Sequence, residues 1–428
     1  MGDSGPQAVR LPEGGKNVPT KEAMMAEAKR CLQCPTAPCT LACPAHNPIP
    51  ALMKRVREGD FSGAHEVWKT TSVLPEICGR LCQNDRLCVG HCTMNRRKAP
   101  LQIGVLEAGV ADLFFHEMPE KRVPNGKRHL VVGLGPAGLA NALEMARQGY
   151  FVKTIDANDG LGGALLTHIP EFRFDVSVLA VYERRLAALG VESVWNTVVG
   201  KDVFLKDLLP QYDSVFLACG SDLPQEADFD PAGIPLWYAH DLLNRKLHSP
   251  DELTSLLGKD VVIVGLGNVA VDMARLLVRL GKHAIIVYRR TLGDAPADPT
   301  EIAAALAEGV DIRELRIPRE CRLEKGRKSL DCDRTAILVR PDGTKAVETV
   351  PGYAETLPID DLIFATGQKF SDLALAGTGI IPRPDLSPWS TSDPRVFLGG
   401  DRVNRDKRIV DAMVSGIEAA RRCREASR

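Results

Sequence analysis

Two stretches of the chain share one pattern of apolar and polar positions. His129–Asp156 (HLVVGLGPAGLANALEMARQGYFVKTID) opens with a short apolar run and breaks at glycines. It continues with apolar residues at helical spacing and returns to an apolar run that ends in an acid. Asp260–Arg290 (DVVIVGLGNVAVDMARLLVRLGKHAIIVYRR) repeats this about 130 residues later. Each predicts strand, glycine turn, helix and strand. The segment before them shows no clear strand. Lys21–Arg30, Ile49–Glu58 and Ser62–Lys69 read as helices, and the chain to about Glu120 as helix and loop. Residues 1–20, rich in Gly and Pro, read as a disordered or extended arm, and Lys121–Arg128 as a polar linker. Short alternating strands such as AILVR and KAVETV are expected between Arg313 and Asp360. Apolar strands follow at Leu362–Gly367 and Val396–Asp401, then a helix from Ile409 to about Arg424.

The two glycine turns carry the first chemistry. In Gly133-Leu-Gly135-Pro136-Ala137-Gly138, the first glycine permits a tight turn. The second lets backbone approach a pyrophosphate, and the third lets helix and strand pack closely. The helix N-terminus offers free N–H groups and a positive dipole end to the phosphates. Asp156, at the end of the next strand, suits ribose hydroxyls and would repel a 2′-phosphate. Gly265-Leu-Gly267-Asn268-Val269-Ala270 repeats the turn with alanine in third place. Where the first unit has its acid, this one has Tyr288-Arg289-Arg290, two guanidiniums suited to a 2′-phosphate. The contrast points to FAD on the first turn and NADPH on the second. Thr391–Asp401, ending in Gly399-Gly400-Asp401, resembles the second FAD signature of two-dinucleotide-binding flavoproteins, whose Asp contacts the ribityl chain. By the same resemblance Gly162-Gly163 and Ile169-Pro170 close over the flavin, and Thr366-Gly367 forms the other strand-end turn.

Composition narrows the setting. The chain has 428 residues, 44% hydrophobic and 25% charged, with a formal net charge of -1. That is a globular profile with no basic field for nucleic acid or anionic membrane. No run of 18 apolar residues appears, and the first residues lack a signal peptide's basic and apolar regions. A reducing, cytoplasmic setting is expected. Of 12 cysteines, eight lie between Cys31 and Cys92, which in such a setting reads as metal binding.

The blocks are Cys31-x2-Cys34-x4-Cys39-x3-Cys43-Pro and Cys78-x3-Cys82-x5-Cys88-x3-Cys92. The first is similar to a bacterial ferredoxin run. Two four-thiolate zinc sites would also use eight cysteines. Electron transfer favours iron–sulfur clusters, because a flavin beside an NADPH site needs an exit for electrons and zinc cannot carry one. Gly162–Pro170 holds no cysteine pair that could serve instead.

RCLQCPTAPC, LACPAHNPIP, LPEICGRLCQNDRLCVGHC, IGVLEAG, GLGPAGLA, IPEFRF, GLGNVAVDMAR, YRR and GGD together resemble the small subunit of bacterial glutamate synthase and its relatives. Those relatives include the electron-input part of dihydropyrimidine dehydrogenase and the large subunit of ferredoxin-dependent NADP transhydrogenase. The resemblance implies two [4Fe-4S] clusters. Cys31, Cys34, Cys39 and Cys92 would hold one; Cys43, Cys82, Cys88 and Glu107 would hold the other, with Cys78 left as a packed thiol. Whether Glu107 or Cys78 completes the second set stays open. One departure is His168, where the family often has glycine before Ile169-Pro170.

The fold expected is α/β: a helical iron–sulfur domain at 1–126, a discontinuous Rossmann-like FAD domain at 127–225 and 357–428, and an inserted NADPH domain at 226–356. The function expected is hydride transfer from NADPH to FAD, then single electrons through the clusters to a partner. That partner would be a glutamate synthase large subunit, an FMN-containing pyrimidine-reducing subunit, or ferredoxin. A zinc-binding scaffold with vestigial nucleotide sites is the competing reading.

Overall fold

The structure, a computed structural model, describes residues 19–119, 123–245 and 247–426. Residues 1–18 of the predicted arm, and Lys121 and Arg122 of the predicted linker, lie outside them. The chain divides into two compact units. One comprises Met1–Leu166, Glu171–Ser221 and Phe370–Arg428; the other comprises Thr167–Pro170 and Asp222–Lys369.

The first unit begins with helices. Thr20 caps Lys21–Lys29 by accepting from the Ala23 N–H, and Asp60 caps Phe61–Lys69 by accepting from the Gly63 N–H. Ile49–Arg57, Pro75–Leu81 and Ile103–Leu113 complete the set. Leu52, Met53, Trp68, Leu106 and Val110 form their shared core. Gly79 lets two of these helices touch: a Cβ there would stand 2.4 Å from the Ala108 nitrogen.

The same unit continues into a five-stranded parallel sheet. Its order is Val396–Leu398, Ser214–Leu217, Arg128–Val132, Phe151–Ile155, Glu192–Val194. The central strands are buried on both faces, which is why they read as unbroken apolar runs. Helix Pro136–Arg147 packs on helix Ile409–Ala426, where a Cβ on Gly416 would stand 2.1 Å from the Ala137 carbonyl oxygen. The Asn141 amide donates to that glycine's carbonyl at 3.0 Å.

The second unit holds a parallel sheet in the order Leu236–Tyr238, Asp361–Phe364, Asp260–Val264, His283–Tyr288, Asp311–Glu314. It also holds an antiparallel sheet of Arg316–Glu324, Arg327–Val339 and Lys345–Pro358. These strands run longer than the short ones expected from the sequence. Two causes hide them. Register shifts at Pro318/Glu320 and Asp333/Thr335 break the period of two. Ion pairs between neighbouring strands, Arg319–Asp331 and Arg319–Asp333 among them, cover much of the sheet, and only a short patch of Cys321, Leu330, Cys332 and Leu357 is apolar and buried.

Candidate functional site

Cys31, Cys34, Cys39 and Cys92 line one pocket, together with Leu32, Met53, Thr93 and Met94. All four thiols are half-buried. Positive φ at Gln33 (52°) and Ala37 (41°) turns the chain around the pocket. The Gln33 amide donates to Cys31 Sγ at 3.4 Å, and the Cys34 thiol donates to Thr93 Oγ1 at 3.2 Å.

The other set is more deeply placed. Cys43 and Cys88 are buried and Cys82, at the end of helix Pro75–Leu81, is half-buried. Glu107 stands in helix Ile103–Leu113 with 6% of its surface exposed, and its charge acts on all three thiols. Glu107 Oε1 is buried with no hydrogen-bond partner among the described residues. Burial, then the charge of Glu76, pushes its carboxyl up to about 8. Burial pushes the Cys39 and Cys43 thiols up to about 11 and Cys88 well above its usual value. Such thiols lose their protons when a cation takes the protons' place. A carboxylate with an idle oxygen among three thiols fits a metal cluster, and four thiols around one pocket fit a second. Cys78 belongs to the same group: its buried thiol is hydrogen-bonded with Cys82 and feels the charges of Glu107 and Cys43. It also lies 3.9 Å from Met413 Sδ on helix Ile409–Ala426, so Cys78 and Glu107 both stand beside Cys43, Cys82 and Cys88.

One feature gave no sequence signal. Glu76, fully buried, accepts from the Tyr182 hydroxyl at 2.5 Å and from Arg185 at 2.7 Å. This joins helix Pro75–Leu81, which leads to Cys82, to helix Ala180–Ala188 beside the first sheet. Only the fold brings 76 and 185 together; nothing local in LPEICGRLC marks an acid that needs an arginine.

The first glycine turn has three different steric reasons. Gly133 adopts φ +88°, and a Cβ there would stand 2.4 Å from the Ala218 oxygen. A Cβ on Gly138 would stand 1.8 Å from the Gly133 oxygen. Gly135 instead faces Gly163, whose own Cβ would stand 2.9 Å from Gly135 Cα, leaving a cradle free of side chains. Pro136 and Ala137 open the helix. Asp156 is buried; it accepts from the Leu134 N–H at 2.5 Å and from the Asn158 N–H at 2.7 Å. The carboxylate therefore shapes the turn itself, a role the sequence did not signal. Gly400 (φ +67°) comes close to Ala137, and a Cβ there would lie 3.4 Å from the alanine's methyl. Asp401 follows it, its carboxyl held above the usual range by burial. Gly133, Gly135, Pro136, Ala137, Gly138, Asp156, Gly163, Gly400 and Asp401 thus belong to one unit, and their side-chain-free cradle fits a dinucleotide. Ile169, Thr366 and Gly367 belong to the other.

In that second unit Gly265 (φ +118°) turns against the Ala365 oxygen, 2.6 Å from a Cβ placed there, while nothing lies within 4 Å of one on Gly267. Asn268, Val269 and Ala270 open helix Asn268–Arg279, and the Asn268 side-chain Oδ1 accepts from the Asp298 N–H at 2.9 Å. Arg289 is exposed and Arg290 half-buried at the end of strand His283–Tyr288. Arg290 Nε is buried without a hydrogen-bond partner among the described residues. An open glycine and an unsatisfied guanidinium nitrogen fit a phosphorylated nucleotide. The His168 and His240 rings meet at a tilt of 39°, centroids 4.4 Å apart.

Comparison with known proteins separates the cysteine segment from the two glycine turns. A family model described as dihydropyrimidine dehydrogenase domain II, 4Fe-4S cluster, matches residues 13–118. One described as pyridine nucleotide-disulphide oxidoreductase matches residues 127–420. The small chain of glutamate synthase [NADPH] from Escherichia coli is 34% identical over 424 residues, covering 92% of this chain and 89% of that one. The PreT subunit of the NAD-dependent dihydropyrimidine dehydrogenase of Escherichia coli O157:H7 is 31% identical over 407 residues, covering 92% of each. Mycobacterium tuberculosis FprA, solved in complex with NADPH, shares the fold with a TM-score of 0.56 at 18% identity, over 70% of this chain and 85% of that one.

Fold, site and matched models define an oxidoreductase with FAD, pyridine nucleotide and iron–sulfur sites. Within that class, the chain belongs to the family of the glutamate synthase small chain and its relatives. Among the described residues no helix is long and apolar enough to cross a membrane.

Proposed function

We propose that the chain is an electron-input subunit that oxidises NADPH and passes electrons through two [4Fe-4S] clusters to a glutamate-forming partner subunit. Bound FAD supplies the step from a two-electron hydride donor to one-electron carriers. The chain's residues supply position. Gly133, Gly135 and Gly138 admit the FAD pyrophosphate, with Asp156 and Asp401 on its ribose and ribityl chain. Gly265 and Gly267 admit the NADPH pyrophosphate, with Arg289 and Arg290 on its 2′-phosphate. Cys31, Cys34, Cys39 and Cys92 hold one cluster; Cys43, Cys82, Cys88 and Glu107 hold the other.

The observation that carries this reading is the idle, buried Glu107 oxygen beside the buried Cys43 and Cys88 thiols and the half-buried Cys82. In a chain without a cluster it would be an unpaid desolvation of several groups at once. The glutamate synthase relative, matched over most of both chains, supports the choice of partner. The PreT relative supports a second reading, in which the partner reduces a pyrimidine.

Anaerobic purification tests the reading. The protein is expected to be brown, with flavin and about eight iron atoms per chain. Colourless protein with zinc and no iron would refute it. Cys34→Ser should still let NADPH bleach the flavin while transfer to the partner is lost. Identification of the subunit that co-purifies with the native chain decides between glutamate and pyrimidine partners.

A further inference from the structure

The two cysteine sets face different surroundings, and the charge around them is one-sided. In residues 28–57, Arg30, Arg55 and Arg57 are matched by Glu27, Asp60 and Glu58, whereas residues 86–106 contain four basic residues and no Asp or Glu. The whole chain carries a net charge of -1, so this concentration is local. Arg96, Arg97 and Lys98 end the short helical turn that follows Cys92. They are exposed and form no ion pair among the described residues. Many other exposed arginines are tied down: Arg313, Arg319, Arg322, Arg395 and Arg421 all pair with carboxylates. Thr93 and Met94, on the same turn, form part of the pocket wall of Cys31, Cys34, Cys39 and Cys92. Leu32 lines that pocket and is 57% exposed, and Leu41, next to the other loop cysteines, is 69% exposed.

We propose that the mouth of this pocket is the docking surface for an acidic electron-carrying protein. The proposal rests on the reading that the four thiols hold a cluster, and adds where and by what chemistry the electron leaves. Exposed leucines at the rim exclude water at the shortest path to the thiols. Unpaired cations beside them steer and orient a carboxylate-rich partner, an effect that weakens as salt rises. The same cations could serve only to offset the negative charge of a thiolate-held cluster, and the experiment separates these roles.

The holoenzyme is compared with the triple variant Arg96→Glu/Arg97→Glu/Lys98→Glu, and with the milder Arg96→Gln/Arg97→Gln. NADPH drives reduction of two probes, an acidic [2Fe-2S] ferredoxin and the basic protein cytochrome c, at low and high salt. Flavin bleaching by NADPH and the midpoint potentials of the clusters are measured alongside. With the wild type, ferredoxin reduction should fall at least about tenfold from low to high salt. The triple variant should lose at least about tenfold in kcat/KM for ferredoxin at low salt, and the Gln pair a smaller part of it. Cytochrome c reduction should hold or improve, with bleaching rate and potentials unchanged. Equal losses for both probes, no loss for either, or a loss that tracks a shifted cluster potential would overturn the docking role. Iron content keeps the two proposals apart: iron-replete protein indifferent to these substitutions sinks the docking surface alone, whereas iron-free protein sinks the cluster reading beneath it.

Discussion

The two glycine turns begin as copies and end as opposites. Both place a glycine of positive φ after a buried strand, and both open a 12-residue helix. They diverge at the third position and at the end of the next strand. In the first turn a Cβ on Gly138 would strike backbone at 1.8 Å; in the second, Ala270 carries its methyl fully buried. The first unit finishes on a carboxylate bonded into its own turn, the second on a guanidinium with a nitrogen to spare. On the proposed reading, a shared frame takes a pyrophosphate in both, and a few side chains decide which nucleotide brings it.

The comparison breaks most visibly at Gly138. Gly138→Ala puts a methyl into a carbonyl oxygen that cannot step aside, at a cost of about 3 kcal/mol or more. The purified variant is expected to lack flavin, or not to fold. Gly267→Ala meets no protein atom within 4 Å, so its melting temperature should stay near wild type while NADPH oxidation falls. Flavin content and melting curves of the two variants check this; equal melting losses would show that the turns are not distinct.

The next largest effect concerns the strand ends. Charge-assisted hydrogen bonds are worth about 1.5–3 kcal/mol each. Arg289→Ala/Arg290→Ala should therefore raise KM for NADPH by roughly 10- to 100-fold and leave KM for NADH nearly alone. Parallel steady-state kinetics with both nucleotides measures it. Equal changes would remove the 2′-phosphate from the argument.

The first strands also differ, in a way that sets a pH dependence. His129 occupies the place that Val261 takes in the second unit, and Asn141 the place of Met273. Asn141 gives its amide to Gly416, so its oxygen accepts from His129 Nε2, and Nδ1 accepts from the Ser214 hydroxyl, both at 2.7 Å. Burial pushes this histidine down to about 4. The unfolded chain then binds a proton that the folded chain refuses between about pH 6.5 and 4. Stability from this residue is complete above the upper value and lost as pH falls toward the lower, about 2 kcal/mol of it between pH 7 and 5. His129→Val/Asn141→Met, the pair taken from the second unit, should show a shallower loss of urea stability across that range. An unchanged slope would place the acid sensitivity elsewhere.

Much of this contrast was legible because it is local. Glycines, a terminal acid and paired arginines sit at fixed offsets from apolar strands, so strand, turn and helix follow from one window of sequence. The helices from Lys21 to Lys69 were legible for the same reason. What was not legible depends on residues far apart. The Glu76–Arg185 pair spans helices that meet only in the fold, and the backbone bonds of Asp156 arise from the turn's final shape. Glu107 is a middle case. A carboxylate in IGVLEAG reads equally well as solvated or buried, and only the packing of its helix shows that it is buried. The antiparallel strands after Arg313 were misjudged in length because register shifts break their alternation and ion pairs leave only a short apolar patch.

The smallest effect sharpens the comparison most. Ala270→Gly makes the second turn match the first at its third position. The helix loses its alanine for about 0.5–1 kcal/mol, and the buried methyl adds about 0.8 kcal/mol. Stability should fall by about 1–2 kcal/mol, with KM for NADPH unchanged, because a methyl at 0% exposure touches no solvent and so no ligand. If KM instead improved, the third position would be part of nucleotide recognition. If stability did not fall, alanine would be tolerated there without contributing, and Gly138 would owe its identity to the clash with Gly133 alone. Either result is read from a melting curve and one kinetic series, and either separates what the turn needs to close from what it needs to bind.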